Sequence, residues 1–388
     1  MKLAAPSDVD DLLAPLVAFR RDLHAYPELG FAETRTAGLV AAALHALGME
    51  VHAGIGGTGV VGVLRAGGSD RRIALRADMD ALPIEEETGL PYSSRNRGVF
   101  HGCGHDGHVA MLLGAARHLA RTRRFDGTVN FIFQPAEEGL AGARAMIADG
   151  LFERFPADQV YALHNWPDLP AGTAMTRPGP IMAAADKFEI AVEGRGGHAA
   201  QPHKTPDAIL AASELVAQLH TIVSRRIPPS ASAVLSVTRI EGGHAHNVLP
   251  AAVRLLGTVR SFDPAIRDRI EDSVRQIVEG VAVASGTKTT LTYNRYYPVT
   301  RNDPEAAGEA LAAASCACCH ATVAPEPAFT SEDFAFMLEA KKGAYLWLGQ
   351  GREGVNAPLH HPSYDFNDDI IGHGIRWHVA LAERLLSV

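Results

Sequence analysis

Apolar residues recur along the first part of the chain with two different periods. Residues 7–24 and 33–47 carry them at the spacing of an amphipathic helix, and the second stretch ends at Gly48. Further on, short runs rich in β-branched and aromatic residues alternate with helical or loop sequence. These runs are residues 60–64, 73–76, 129–133 and 160–163. The pattern predicts an α/β arrangement with strands buried in a sheet.

The periodicity changes from about Lys187 onward. The elements then follow the order β-α-β-β-α-β, which is the split βαβ arrangement of ferredoxin-like domains. We predict strands at 188–192, 233–240, 253–260 and 289–293, and helices at 206–224 and 264–284.

The first pattern resumes after residue 298. It predicts a helix at 304–316, a helix at 331–341 with Ser331 as its N-cap, a strand at 345–348 and a last helix at 370–386. A chain of 388 residues is too long for one compact core. We therefore predict a two-domain α/β protein. Its mixed α/β catalytic domain comprises residues 1–185 and 296–388, and a ferredoxin-like α+β domain at 186–295 is inserted into it.

Ionisable residues lie directly after the predicted strands. Asp78, Glu137 and His164 each stand within a few residues of a strand end. Open α/β sheets place their ligand crevices at the carboxyl ends of the strands. Chance would distribute such residues over both strand ends and the helices, so the repetition predicts a single crevice at this edge.

The stretch from His101 to His108 reads His-Gly-Cys-Gly-His-Asp-Gly-His, and apolar residues at helical spacing follow it. The glycines would allow Cys103 and His105 to converge on something small, such as a metal ion. The partial positive charge at the start of the following helix would favour a thiolate over a thiol. The alternative is a Gly-rich turn with a buried cysteine and solvated histidines, which needs one glycine and none of the histidines.

Composition restricts the partners of this chain. A net charge of −8 and a pI near 6.1 come with no basic stripe, so we expect no nucleic acid. No run approaches the roughly 18 apolar residues of a membrane span, and we expect no membrane partner. Three of the four cysteines lie between positions 316 and 319, unlike a secreted disulfide framework, so we expect a cytoplasmic protein.

Five ligand-type residues would meet if they converge at the predicted crevice: Cys103, His105, Glu138, His164 and His360. One thiolate, three imidazoles and one carboxylate are too many for one tetrahedral zinc ion and suit two adjacent divalent ions. The mixture of S, N and O donors favours transition metals over magnesium or calcium. Glu137 points away from its neighbour Glu138, so it can hold the attacking water and return the proton to the leaving group.

Seven ordered motifs resemble the M20 metallopeptidase family, and specifically its amidohydrolase branch. This branch includes hippurate hydrolases, bacterial N-acyl-amino-acid hydrolases and plant indole-acetyl-amino-acid hydrolases. The motifs are FRRDLH with PEL at 19–29, RADMDALP at 76–83, HGCGHDGH at 101–108, QPAEEG at 134–139, ALHN at 162–165, GGHAA at 196–200 and SEDF at 331–334. The resemblance covers essentially the whole chain, and so many motifs in order are highly specific.

The resemblance implies a metal-dependent cleavage of N-acyl amino acids into a carboxylic acid and a free amino acid. The family's general base matches Glu137. The implied cofactor is a pair of divalent ions per subunit, Mn²⁺ or Zn²⁺, with Co²⁺ and Ni²⁺ as alternatives. The family's metal ligands match Cys103, His105, Glu138, His164 and His360.

The resemblance also assigns residues of the inserted domain, which relatives use as a lid and for dimerisation. The implied protein partner is a second copy of the chain in a homodimer, with a tetramer as the alternative. The histidine that matches His198 steadies the oxyanion, in some relatives from the neighbouring subunit. Asn247 and Arg260 are candidates for holding the substrate carboxylate or amide oxygen, since the planar fork of an arginine donates two parallel hydrogen bonds.

One position departs from the wider family. Its peptidases place a metal-binding histidine two residues before the residue that corresponds to Asp80, and this chain has Asp78 there. The amidohydrolase branch shares this feature, with Cys103 as the alternative ligand. Asp80 is then expected to orient a histidine ligand.

Two other functions stay open. Cys103 could be the nucleophile and His105 the base of a metal-independent acyl hydrolase, although this leaves Glu137 without a role. The chain could also bind an acyl amino acid without cleaving it, although a binder has no use for a base beside a metal.

Several other polar residues are predicted to be structural. His24 is interpreted as an ordinary packing or surface residue, and His108 is predicted to point away from Cys103 and His105. Residues 316–320 are predicted to bury small side chains, and residues 85–87 to form a solvated loop.

Overall fold

The computed structural model describes residues 9–354 and 357–387. Its α-helices are α1 (Asp10–Ala25), α2 (Thr34–Ala46), α3 (His105–Thr122), α4 (Glu137–Leu140), α5 (Gly142–Ala148), α6 (Leu151–Arg154), α7 (Ala208–Leu219), α8 (Pro264–Ser285), α9 (Pro304–Ala317), α10 (Ala335–Ala340) and α11 (Ile371–Leu385). Its strands are β1 (Glu50–Ile55), β2 (Gly59–Ala66), β3 (Arg72–Asp78), β4 (Gly127–Gln134), β5 (Gln159–Pro170), β6 (Thr173–Thr176), β7 (Gly179–Met182), β8 (Ala184–Glu193), β9 (Gly197–His198), β10 (Ala233–Glu241), β11 (Val248–Leu249), β12 (Ala252–Ser261), β13 (Lys288–Tyr297), β14 (Thr300–Asn302), β15 (His320–Val323) and β16 (Lys342–Gly351). Among the described helices, none has both the length and the apolar character needed to cross a membrane.

The first of two compact units contains the described residues up to Ile181, Thr300–Glu326 and the chain from Asp333 onward. Its main sheet has eight strands in the order β1-β2-β4-β3-β5-β16-β6-β15. The four central strands β4, β3, β5 and β16 are parallel to one another. Parallel strands are covered on both faces, which explains why these segments have nearly continuous apolar runs.

The parallel centre of this sheet collects the predicted chemical residues at one edge. Asp78, the last residue of β3, lies in register with Gln134, the last residue of β4. Glu137 follows Gln134 after one short turn, and His164 is the sixth of the twelve residues of β5. It stands level with Asp78, since each lies two residues past the registered pair Arg76 and Ala162. The strand ends therefore form a common edge, as open α/β sheets do.

The second unit contains Met182–Val299 and Pro327–Glu332. Its antiparallel sheet has the order β10-β12-β8-β13, and the helices α7 and α8 pack against it around one apolar core. This is the strand order of the split βαβ arrangement. The predicted fold class, a mixed α/β domain with an inserted ferredoxin-like α+β domain, is confirmed. The lid role and the domain limits at 185 and 295 stay predictions.

Two helix predictions are wrong at their ends. Helix α10 begins at Ala335, and no side chain caps it, so Ser331 is not its N-cap. The reason is that the preceding Asp333 carboxylate accepts hydrogen bonds from Arg76, Gln134 and the Ala143 N–H, which hold this segment in place. The helix predicted at 206–224 ends at Leu219, and a π-helical segment follows at Ile222–Arg226.

The second unit contains a buried ion pair between Asp186 and Arg267. Asp186 accepts hydrogen bonds from Arg267 Nε at 2.9 Å and from Tyr293 Oη at 2.9 Å, and both Asp186 and Arg267 are buried. We expect Asp186→Asn to lower the free energy of unfolding by about 3–5 kcal/mol, because it leaves a buried guanidinium without its counter-charge. Urea unfolding measures the effect. Glu189 lies on the same strand as Asp186 and forms an exposed pair with Arg254. The control Glu189→Gln should therefore change the free energy of unfolding little. Equal losses in the two variants would contradict the prediction.

Candidate metal centre

The cluster from His101 to His108 wraps around the start of α3, which begins at His105. Gly104 has φ 89°, and a Cβ at this position would lie 2.4 Å from Asn165 Oδ1, so the turn has no room for a side chain. One ligand atom from each of Cys103, His105 and His164 lies within 4.8 Å of the others, and all three residues are buried. The turn therefore presents the thiol and the imidazole to the same point.

The turn after β4 brings two carboxylates to this point. Ala136 has the left-handed φ of 54°, which is strained for a residue with a side chain, and its N–H donates to Glu33 Oε1 at 2.8 Å. Past this turn, one ligand atom from each of His105, Glu137 and Glu138 lies within 4.8 Å of the others. The local strain thus lies directly before the two carboxylates.

Two histidines from other elements complete the group. His164 Nε2 lies 3.4 Å from Cys103 Sγ. His360, in the loop before α11, has φ 66°, its N–H donates to the Gly102 carbonyl, and its Nε2 lies 3.2 Å from Glu138 Oε1. The structure therefore brings together all five predicted ligands, namely Cys103, His105, Glu138, His164 and His360.

Asp80 connects two of these ligands. Its Oδ1 lies 3.2 Å from His105 Nδ1, and its Oδ2 accepts the Glu138 N–H at 2.9 Å. His105 Nε2 consequently faces Glu138 Oε1 at 3.9 Å. This nitrogen is buried and makes no hydrogen bond with any described residue, an arrangement that costs free energy unless a ligand supplies a partner. An unpaired imidazole nitrogen among S, N and O donors fits a transition-metal site.

Burial raises the pKa of the Cys103 thiol, and the carboxylates of Glu138, Glu137 and Asp78 raise this pKa further. The prediction that the start of α3 favours a thiolate is therefore wrong for the protein alone, because burial and three carboxylates outweigh the helix dipole. A bound divalent cation reverses this balance, since a coordinating thiol is deprotonated.

The imidazole and carboxylate ligands hold each other in charged forms. Burial alone would lower the pKa of His105, but Asp78, Asp80 and Glu138 raise it to about 10. Burial would raise the pKa of Glu138, but His360 and His105 hold it below its usual value. A metal binds neutral imidazole, so a metal ion held by His105 would have to displace this proton.

His108 was predicted to point away from the cluster, and the structure shows the opposite. Its Nδ1 lies 2.6 Å from Asp78 Oδ1 and its Nε2 lies 2.6 Å from Asn165 Oδ1, and its ring centroid lies 4.6 Å from that of His164. Residues three apart share a helix face, so the spacing from His105 was the signal that could have found it. The Asp78 carboxylate therefore contacts His108. This contact gives a structural role to Asp78, the residue that stands where the peptidases of the wider family have a histidine.

His24 is a packing residue, one of the two predicted alternatives, whereas the prediction of a solvated loop is wrong for Glu86. His24 is fully buried, with Nδ1 2.8 Å from Asp106 Oδ2 and Nε2 3.3 Å from Glu86 Oε1. Arg20, one helical turn earlier, places its Nε 3.1 Å from the same Asp106 oxygen. The Glu86 side chain is only 3% exposed, whereas its neighbours Glu85 and Glu87 are exposed in the loop, as predicted. This network fixes the residue that follows His105.

The cysteines near the end of α9 differ from the prediction as well. Cys316 and Cys319 are exposed and Cys318 is half-buried, so residues 316–320 do not bury their small side chains as a group. The predicted helix end agrees with the structure to within one residue, since α9 ends at Ala317, but Cys318 and Cys319 follow the helix and neither is fully buried in the core.

The remaining predicted site residues lie in the second unit. His198 pairs in register with Val248, and its Nδ1 accepts the Ala200 N–H at 3.1 Å. The Asn247 carbonyl accepts the Ala199 N–H, and Arg260 Nη1 donates to the Val259 carbonyl at 3.0 Å. The oxyanion and substrate-binding roles of His198, Asn247 and Arg260 stay predictions.

Comparison with known proteins identifies the class to which this fold and site belong. The chain is 42% identical to a hippurate hydrolase of Campylobacter jejuni, over 98% of this chain and 99% of that protein. It is 38% identical to an N-acetyl-L-cysteine deacetylase of Bacillus subtilis, over 98% and 91%. A dinuclear metal-binding peptidase of family M20 from Bacillus subtilis has the same fold, with a TM-score of 0.84, 33% identity and coverage of 97% and 99%.

Fold, site and relatives together define a metal-dependent amide hydrolase. Residues 74–384 match the family described as Peptidase family M20/M25/M40, and the chain belongs to this family. The resemblance drawn from the sequence motifs is confirmed.

The His24 network predicts a dependence of stability on pH. Burial alone would lower the pKa of His24, but hydrogen bonds to Asp106 and Glu86 raise it above its ordinary value of 6.5. A raised pKa in the folded state means that the stabilisation is complete below pH 6.5 and is lost as the pH rises through the folded-state pKa. We therefore expect the stability of the metal-free protein to fall less steeply above this pH in His24→Gln than in the wild type.

Urea unfolding at a series of pH values measures this difference. His45→Gln is the matched control, because His45 is exposed near the end of α2. A His24→Gln variant whose stability follows pH in parallel with the wild type would show that this histidine is not charged in the folded protein.

Proposed function

We propose that this protein hydrolyses the amide bond of N-acyl amino acids and releases a carboxylic acid and a free amino acid. The observation that carries this proposal is the convergence of five S, N and O donors beside a further buried carboxylate, that of Glu137. Two relatives are named for hippurate and N-acetyl-L-cysteine, both of which are N-acyl amino acids, and this supports the substrate class.

Two divalent metal ions are the proposed cofactor, with Mn²⁺ or Zn²⁺ as the first candidates and Co²⁺ or Ni²⁺ as alternatives. The mixed donor set fits transition metals, and the dinuclear relative supports a pair. When bound, such a pair supplies a Lewis acid and lowers the pKa of water towards neutrality. The residues that would hold it are Cys103, His105, Glu138, His164 and His360.

Glu137 is the proposed general base. Its Oε1 accepts the Asp333 N–H at 3.3 Å, which orients the carboxylate beside Glu138 and His105. In this position it can accept a proton from the attacking water and return that proton to the leaving amine. We further propose that His198 steadies the oxyanion and that Asn247 and Arg260 hold the substrate, on the basis of the family motifs.

The proposed assembly is a homodimer through the second unit, with a tetramer as the alternative. The family motifs support this assembly. The proposed location is the cytoplasm, which the absence of a secreted cysteine framework supports.

The contacts of Cys103 disfavour the metal-independent alternative. Among the described residues, Cys103 Sγ forms its hydrogen-bonding contact to an imidazole with His164 Nε2, at 3.4 Å, and not with His105, the base of that mechanism. Burial and neighbouring carboxylates also keep the thiol protonated, which weakens it as a nucleophile. A pure binding protein is disfavoured by Glu137, whose carboxylate lies among the ligand atoms without belonging to the proposed set.

Glu137→Gln separates the base from the ligands. We expect this variant to retain its metal content and to lose about 10²- to 10⁴-fold in kcat for hippurate or an N-acetyl amino acid, because only the proton transfer is removed. Glu138→Gln is the matched control and should lose bound metal, as measured by elemental analysis. Substantial turnover by Glu137→Gln would remove the assigned base.

Metal removal separates the proposed hydrolase from a thiol enzyme. We expect a chelator to abolish hydrolysis and added Mn²⁺ or Zn²⁺ to restore it. Iodoacetamide should leave the metal-loaded enzyme active, since Cys103 is buried and held by metal. Because Cys316 and Cys319 are exposed, this arm uses a variant in which both are serine. Activity that survives chelation but not alkylation would establish the thiol mechanism instead.

A further inference from the structure

Two tryptophans stack against each other beside the candidate metal centre. Trp166 follows His164 by two residues on β5, and Trp347 lies on β16 in register with His164. The two indole centroids are 4.5 Å apart with an interplanar angle of 24°. The Trp166 ring centroid lies 6.4 Å from that of His164.

Strand geometry puts these rings on the same side of the sheet as the proposed metal ligand. Side chains two residues apart on a strand share a face, so Trp166 lies on the face of His164 and farther along β5. Trp347 shares this face because it is the registered neighbour of His164 on a parallel strand. The two indole rings therefore lie beside the candidate ligand His164, on the same face of the sheet.

The two rings differ in burial. Trp347 is 5% exposed, and its Nε1–H is buried without a hydrogen bond to any described residue. Trp347 covers one face of the Trp166 indole, and Trp166 itself is partly exposed. A partly exposed indole stacked on a buried one is a platform that a flat apolar group can cover, and such contact is favourable because it removes apolar surface from water.

We infer that Trp166, supported by Trp347, is the subsite for a planar aromatic ring of the substrate. The inference rests on the proposed function, since it takes the cleaved bond to lie beside His164. Aromatic rings stack favourably at centroid distances of roughly 4.5–7 Å. A ring attached close to the cleaved carbonyl can therefore contact Trp166 while the carbonyl stays at the metal centre, whereas a methyl group presents no flat face to the indole.

Three substrates distinguish where the ring is attached. Hippurate carries it in the acyl group, N-acetyl-L-phenylalanine carries it in the amino acid, and N-acetylglycine carries none. We expect Trp166→Leu to lower kcat/KM for a ring-bearing substrate by about 3- to 10-fold and to leave N-acetylglycine within about 2-fold. Trp166→Phe is the matched control, which keeps an aromatic face and should retain most of the activity towards the same substrate.

Each outcome decides the inference. A selective loss on hippurate assigns the subsite to the acyl group, and a selective loss on N-acetyl-L-phenylalanine assigns it to the amino-acid side chain. Equal losses on all three substrates, or no loss, would overturn the inference, provided that metal content and thermal unfolding of the variants match the wild type.

A binding measurement separates this inference from the proposed function. Calorimetric titration of hippurate, N-acetyl-L-phenylalanine and N-acetylglycine into metal-loaded Glu137→Gln, with and without Trp166→Leu, reports ring recognition without turnover. If the wild type cleaves none of the three compounds, the proposed function fails. The titration then still decides the subsite, because a ring-dependent affinity that Trp166→Leu removes supports it and its absence overturns it.

Discussion

The carboxylate of Asp80 is the contact on which the candidate centre depends. One oxygen faces His105 Nδ1 and the other accepts the Glu138 N–H, so a single buried group ties the start of α3 to the turn after β4. These two segments supply the thiol, one imidazole and both carboxylates. Without this contact each segment would have to find its position independently, and ligands misplaced by 1 Å lose much of their affinity and activity.

Two buried ionic networks hold α3 on either side of this contact. Arg76 and His108 bind the two oxygens of Asp78, while Arg20 and His24 bind Asp106. Removing one member of such a pair leaves an uncompensated buried charge, which is strongly unfavourable. The networks therefore restrict how far α3 can rotate or slide. This restriction keeps His105, the candidate ligand at the start of α3, in place.

The parts of the structure that follow from local rules could be predicted from sequence. Alternation of short apolar runs with helical spacing gives the sheet, and parallel strands then place His164 and Glu137 at one edge. The glycines around Cys103 indicate a tight turn, because glycine adopts backbone conformations that turns require. Local sequence does not contain the partners of His24 or Glu86, because these partners come from distant segments.

The sequence also could not show which of two opposing effects dominates at a given residue. The start of a helix lowers the pKa of the Cys103 thiol, whereas burial and three carboxylates raise it. The folded structure shows that burial and the carboxylates dominate. The start of α10 is a similar case, since three hydrogen bonds to Asp333 override a good capping sequence. The short strand β15 escaped prediction because its residues are largely accessible and lack a continuous apolar run.

Strand periodicity links the proposed catalysis to the proposed recognition of substrate. A strand repeats its face every second residue, so residue 166 faces the same side of the sheet as the candidate ligand His164. The registered position on the neighbouring parallel strand must face that side as well, and it holds Trp347. The imidazole of His164 is oriented by the hydrogen bond from its Nδ1 to the Asn165 carbonyl, a backbone contact that does not involve the side chain at position 166.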